Sequence, residues 1–358
     1  PIASQSTVEA GRDNVIDGTS VDSKTYERGH VMTKIRIGLM GFGRIGRNVF
    51  RLVRNHPDLE VGVVCDTADP AALTYLLKYD SIYGRYPGEV SYDDGILVAD
   101  EREIAFIGEK TPADVKWSDY GVDLVVEATT RYRTREANQA HIDNGARAVV
   151  LTSSPETPGE IPMVLMGIND EILNDNPPIV ALGSNTSNAV APVLRTLDEH
   201  FGVERAFWTT VHAMSNSGRL ADVPGEGFRT SRAAGENIIP EETNSPDIVT
   251  QVMPEFQGKL SAVALNVPVP DGSTVDLVTI TENDTTVEEV NKVIEEAAAT
   301  RYRNVIEYVA DPIVSSDVRG STYSGVFDSL ATMVTDGTMV KTITWFNNGW
   351  GYSARVVE

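Results

Sequence analysis

The sequence predicts an α/β protein in two folded parts. The first is a doubly wound parallel sheet, and the second is an α+β unit on a mostly antiparallel sheet. Three observations carry this reading. Short apolar runs alternate with helix-patterned segments through the first half. Longer strands of alternating polarity fill the second half. A glycine-rich turn, Gly41-Phe-Gly-Arg-Ile-Gly46, joins the first strand directly to the first helix.

Taken in order, residues 1–32 are rich in Ser, Thr, Asp, Gly and Glu and lack apolar periodicity. They are expected to form a mobile N-terminal extension. Ile35–Met40 is a short apolar strand. Arg47–His56 follows with Val49, Phe50, Leu52 and Val53 at helical spacing. Glu60–Cys65 is a second buried strand closed by Asp66, and Pro70–Tyr79 a second helix. Strand-like runs recur at Ile104–Ile107, Leu124–Glu127 and Ala148–Leu151. Ala189–His200 then reads as one long helix. Strands are expected at Arg205–Ala213, Leu260–Pro268, Ser273–Glu282, Thr322–Phe327 and Thr338–Phe346. Thr286–Thr300 is a helix with an acidic outer face. The polar stretch 214–234 is long for a loop in a compact domain, as functional loops often are.

Composition narrows the functional classes. The chain has 358 residues, enough for two domains and a large core. No run approaches the length of a membrane span, and the start has no charged-then-apolar signal. With a single cysteine, Cys65, no intramolecular disulfide is possible and no metal site is expected. Together these suggest a cytoplasmic protein. The net charge of −22 disfavours nucleic acid, which calls for a basic face. An acidic, solvated surface suits a salt-rich cytoplasm, so a halophilic source is expected, set against a merely acidic protein.

The glycine turn follows a strand, opens a helix, and has Asp66 about twenty residues on. That context identifies a Rossmann-type dinucleotide site. The backbone of Gly41, Phe42, Gly43, Arg44, Ile45 and Gly46 would bring a pyrophosphate to a helix N-terminus. Asp66 would accept hydrogen bonds from the adenosine ribose and repel a 2′-phosphate, favouring NAD over NADP. The alternative is that the glycines only pack strand on helix. Cys65 reads as a small buried hydrophobe. Arg131-Tyr-Arg-Thr-Arg135 is either an anion patch or, more simply, a solvated loop and helix start.

Ala181-Leu-Gly-Ser-Asn-Thr-Ser-Asn-Ala-Val-Ala-Pro192 resembles the active-site turn of phosphorylating glyceraldehyde-3-phosphate dehydrogenases. So do Thr209-Thr-Val-His-Ala213, Asn237-Ile-Ile-Pro240 and Trp345-Phe-Asn-Asn-Gly-Trp-Gly-Tyr-Ser353 in their own blocks. The likeness covers nearly all of the chain after Lys34. It implies a dinucleotide-binding domain over 33–184, with 347–358 returning to it. It also implies a catalytic, substrate and oligomerisation domain over 185–346. In the gapless comparison, Asn185 stands where the family has its catalytic cysteine. An amide cannot become a thiolate, so no thioester can form there.

Other roles carry over residue by residue. His212 matches the catalytic histidine. Thr129, Asn348 and Tyr352 match cofactor contacts. Ser184, Thr186, Thr243, Ser215, Ser217 and Arg232 match groups that hold phosphate. Asn266 replaces a second phosphate-site arginine, and Asn244 a glycine. The resemblance implies a homotetramer in which the 214–234 loop reaches a neighbour's cofactor. Two functions follow. One is an NAD-dependent oxidoreductase on a small, perhaps phosphorylated, aldehyde or oxo compound, with His212 as acid/base and Asn185 as hydrogen-bond donor. The other is a non-catalytic NAD-binding homologue acting as a scaffold, assembly or regulatory subunit.

Overall fold

The computed structural model describes residues 34–108, 111–216, 218–225 and 227–358. The extension expected over 1–32 lies outside the described residues. Lys34–Glu358 forms one compact unit carrying two eight-stranded sheets.

The first sheet is laid down by β1 (Ile35–Met40), α1 (Arg44–Val53), β2 (Leu59–Cys65) and α2 (Pro70–Lys78). The chain continues through β3 (Val90–Asp93), β4 (Ile96–Ala99), β5 (Arg102–Ile107) and β6 (Leu124–Glu127). It closes with α3 (Arg135–Asp143), β7 (Ala148–Leu151) and β8 (Ile179–Ala181). The strand order is β8-β7-β6-β1-β2-β5-β4-β3. All pairs from β8 to β5 are parallel. The order reverses between β1 and β6, and a crevice opens at such a switch point. The antiparallel β3–β4 hairpin extends the predicted parallel sheet. Asp94 and Gly95, both with positive φ, form its two-residue turn.

α1 begins at Arg44, three residues earlier than its apolar spacing suggests, because Gly43 is its N-cap. Val49, Phe50 and Val53 bury that helix against Leu39, Val64 and Phe106 of the sheet. Each side chain so buried contributes about 1.5–3 kcal/mol.

The second part runs α4 (Asn185–Phe201), β9 (Val203–His212), β10 (Ile239–Glu241), α5 (Ser245–Val252) and β11 (Leu260–Asn266). Then follow β12 (Ser273–Thr281), α6 (Val287–Ala299), β13 (Ile306–Val309), β14 (Gly325–Asp328), β15 (Met339–Phe346) and α7 (Trp350–Val357). Its order is β10-β11-β9-β12-β15-β14-β13, with Met333–Thr335 paired on β15. The pairs are antiparallel except β9–β11 and β13–β14. α4, α5 and α6 cover one face, where Leu194, Leu197, Trp208, Val249, Ile294 and Phe346 form a single core. α7 packs on α1, and its Val356 and Val357 join the core of the first sheet.

Candidate active site

Each glycine of the turn after β1 has a separate reason to be glycine. Gly41 has φ +97°, and a Cβ there would lie 2.8 Å from the Ala128 carbonyl carbon. A Cβ on Gly46 would overlap the Gly41 carbonyl oxygen. At Gly43 a Cβ would meet nothing within 4 Å. The first and third glycines therefore serve the fold, and the middle one leaves open space. That space faces the start of α1, which no side chain caps, so its first backbone N–H groups are available to an anion.

A cavity of about 220 Å³ lies over this turn at the switch point. Gly41, Gly43, Arg44, Ile45, Asp66 and Thr129 line it. The Asp66 carboxylate accepts from the Phe42 N–H at 2.7 Å and the Ala68 N–H at 2.9 Å. Each oxygen keeps a second lone pair for a ribose hydroxyl. Thr129 is fixed from below by the buried Glu127 carboxylate, which takes both its N–H and its hydroxyl. Phe42 and Gly46 do not line the cavity. The Phe42 ring is fully buried between Phe50 and Phe106, and only its backbone serves the site. Cys65 is buried in the core, as expected of a small hydrophobe. Arg131 lines this cavity and Arg133 the next, while Arg131 and Arg135 remain exposed to solvent.

A second cavity, about 330 Å³, shares Ile45 with the first. Asn348 and Tyr352 line it, together with Ser184 and Asn185. The Tyr352 hydroxyl donates to the Gly183 carbonyl at 3.1 Å, and burial pushes its pKa far above the ordinary value. The Asn348 Oδ1 accepts from the buried Ser273 hydroxyl. Its neighbour Asn347 donates to Asp271 at 2.7 Å and accepts from Tyr83 at 2.9 Å, which anchors the whole turn.

A third cavity, about 610 Å³, shares Ser184, Asn185 and Asn244 with the second. Asn185 is the first residue of α4. Ser184 caps that helix reciprocally with Ser187, and this sets the start four residues before the predicted Ala189. The Asn185 Nδ2 donates to the Asn348 carbonyl at 3.1 Å, and its Oδ1 accepts from the Thr186 N–H at 2.8 Å. One Nδ2–H is left over. His212, at the end of β9, lines the same cavity. Its Nδ1 lies 2.7 Å from the Ala213 carbonyl. A carbonyl only accepts, so Nδ1 carries the proton and Nε2 the lone pair. Burial is the main cause holding the His212 pKa below its ordinary 6.5.

Ser184, Thr186, Ser215 and Thr243 also line this cavity. Ser217 lies outside the described residues. Arg232 is not brought to the site. Its guanidinium is half-exposed on the long loop and pairs with Asp222 at 2.9 Å. Among the described lining residues there is no Lys or Arg, while Glu241, Glu242 and Asp247 are present. Sequence reasoning passed over those carboxylates and Thr210. The period-two spacing of Thr210 and His212 on β9 was the available signal, since it puts both on one face.

Comparison with known proteins agrees with this layout. The family model for the glyceraldehyde 3-phosphate dehydrogenase NAD binding domain matches residues 35–135. That for the C-terminal domain of the same enzyme matches residues 184–348. The glyceraldehyde-3-phosphate dehydrogenase of Geobacillus stearothermophilus is 42% identical over 325 residues, 90% of this chain and 96% of the relative. That of Thermotoga maritima is 42% identical over 325 residues, covering 90% and 97%. Glyceraldehyde-3-phosphate dehydrogenase 1 of Bacillus subtilis is 40% identical, covering 90% and 96%. NAD is thus the cofactor that the open turn at Gly43, the uncapped α1 and Asp66 fit. Sheet order, cofactor turn and end-to-end similarity converge, and the chain belongs to the glyceraldehyde-3-phosphate dehydrogenase family.

Proposed function

We propose that this chain is an NAD-dependent oxidoreductase that interconverts a small alcohol and its carbonyl compound without a covalent intermediate. The observation that carries the reading is His212. Burial favours its neutral form, its Nδ1 is held at the Ala213 carbonyl, and it shares a cavity with Asn185 beside the Asn348–Tyr352 cavity. Bound NAD would supply the hydride acceptor for oxidation, or as NADH the donor for reduction. His212 Nε2 takes the hydroxyl proton in oxidation and returns it to the oxygen in reduction. The remaining Asn185 Nδ2–H steadies that oxygen. No thioester forms, because Asn185 occupies the nucleophile's place and Cys65 is buried in the core. Phosphorylating oxidation of glyceraldehyde 3-phosphate is therefore absent.

The test is NAD reduction or NADH oxidation by the pure protein on a panel of small alcohols, aldehydes and ketones. Turnover that disappears in His212→Gln supports the reading. A second reading is a non-catalytic NAD-binding subunit. It draws on the Asn185 amide, which braces the turn between Asn348 and Thr186. NAD binding without turnover on the panel would select it. The exposed Leu220, Val223 and Phe228 on the long loop, with Ile238 beyond it, support burial by another subunit and hence a homotetramer. The charge of −22 supports a halophilic source. Among the described residues no helix is long and apolar enough to cross a membrane.

A further inference from the structure

One wall of the first cavity, the cofactor cavity, is under strain. β6 ends at Glu127, and the turn after it, Ala128 to Arg131, lines the cavity beside Gly41. Within that turn Thr130 has φ +62°. A β-branched residue is rarely left-handed, because its side chain crowds its own backbone there. Such an outlier persists only where its surroundings hold it. The turn is also tightly seated. The Ala128 N–H donates to the Met40 carbonyl at 2.7 Å, and a Cβ on Gly41 would lie 2.9 Å from the Thr129 nitrogen. The strained turn therefore leans directly on the glycine turn that receives the cofactor.

What holds Thr130 is a one-way chain of hydrogen bonds leading out of the core. Trp117, His141 and Glu127 are each fully buried. The Trp117 Nε1–H donates to His141 Nδ1 at 2.9 Å. An indole nitrogen only donates, so Nδ1 carries the lone pair and Nε2 the proton. Nε2 then donates to Glu127 Oε2 at 3.3 Å. Glu127 Oε1 accepts from the Thr129 N–H at 2.8 Å and from the Thr129 hydroxyl. With its hydrogen so committed, Thr129 Oγ1 accepts from the Arg131 N–H at 3.1 Å and closes a loop around Thr130.

We propose that Glu127 is a positioning residue for NAD. Oriented by His141 and Trp117, it clamps the Thr129–Arg131 turn in its left-handed bend and so keeps that wall of the cofactor cavity in place. The assignment concerns the cofactor site and stands whichever reaction the chain performs. Glu127 accepts in every one of its bonds, which suits a carboxylate and not an amide. A Gln here fails at one end. With its carbonyl toward Thr129, its amide N–H meets the His141 Nε2–H. Turned over, the amide meets the Thr129 N–H instead. Trp117 prevents His141 from answering with its other tautomer.

The test is calorimetric titration of the full chain with NAD, with urea unfolding to establish that each variant is folded. Glu127→Gln is expected to bind NAD at least about tenfold more weakly, as the loss of one hydrogen bond to a charged group implies. Thr129→Val removes only the hydroxyl and serves if the first variant folds poorly. It should weaken binding as well, and Thr129→Ser should restore it. Both substitutions are then repeated on Thr130→Gly, since glycine adopts the left-handed bend unaided. Measured against Thr130→Gly alone, the loss should shrink to about threefold or less. Parental NAD affinity in the folded variants, even with a lowered urea midpoint, would overturn the proposal and leave Glu127 a structural residue. An equal loss in both backgrounds would overturn it too, because a direct contact with NAD does not depend on the strain at Thr130.

Discussion

Adding one methyl group at each of two glycines three residues apart should have opposite effects. A Cβ on Gly43 meets nothing within 4 Å, and the backbone there, φ −66° and ψ −158°, lies about 20° beyond the edge of the β region, a small strain for alanine. Alanine is a poorer N-cap than glycine, but it also restricts the unfolded chain. The two effects largely cancel, leaving Gly43→Ala within about 1 kcal/mol of the parent. The methyl group does fill the space through which a pyrophosphate reaches the α1 amides. Losing two hydrogen bonds to a charged group at about 1.5 kcal/mol each costs about 3 kcal/mol, or roughly 150-fold in NAD affinity. Gly46→Ala instead drives a Cβ into the Gly41 carbonyl oxygen and pushes α1 off the sheet. Overpacking of that kind costs about 1–3 kcal/mol, and Val49, Phe50 and Val53 would feel it. Calorimetry with NAD and urea unfolding on both variants make the comparison. NAD affinity in Gly43→Ala equal to the parent's would refute the claim that this helix N-terminus holds the cofactor.

Three further outcomes are expected. Burial lowers the folded-state pKa of His212, so the unfolded chain takes up its proton first as pH drops below about 6.5. Stability contributed by neutral His212 is therefore lost as pH falls from 6.5 through the folded pKa. Urea unfolding of His212→Gln should show a shallower loss over that window, and an unchanged profile would contradict the assignment. The native protein should resist iodoacetamide because Cys65 is buried, whereas Asn185→Cys places a thiol at a helix N-terminus beside His212 and should label roughly 100-fold faster. Slow labelling of that variant would remove the argument that the position suits a nucleophile. With 52 acidic against 30 basic residues, the unfolding midpoint measured by circular dichroism should rise steadily with potassium chloride. A midpoint independent of salt would end the halophilic reading.

Local signals made the cofactor turn legible. Strand, three glycines, helix and Asp66 follow one another within about thirty residues, and two of the glycines, Gly41 and Gly46, answer a nearby steric demand while Gly43 leaves open space. The start of α4 was less legible. Thr186, Ser187 and Asn188 look like loop residues, yet all three are buried, and the Ser184–Ser187 box begins the helix before them. The β3–β4 hairpin escaped notice although Asp94-Gly95 is a strong turn signal. Non-local features were the hardest to read. Arg232 resembles a substrate arginine in sequence, but the loop turns it toward Asp222. The acidic cavity depends on β10, a three-residue edge strand containing Pro240, lying beside β11 and β9. Nothing local in Glu241, Asn266 or Thr210 reveals that they share a wall.

NAD is the cofactor of this chain, and the proposed chemistry does not run through a thioester. One sample decides both points: calorimetric NAD binding, followed by NADH formation from glyceraldehyde 3-phosphate and inorganic phosphate. NAD is expected to bind, with no phosphate-dependent NADH. Phosphate-dependent NADH formation by the pure protein would contradict it, since neither Asn185 nor the buried Cys65 can carry the acyl group.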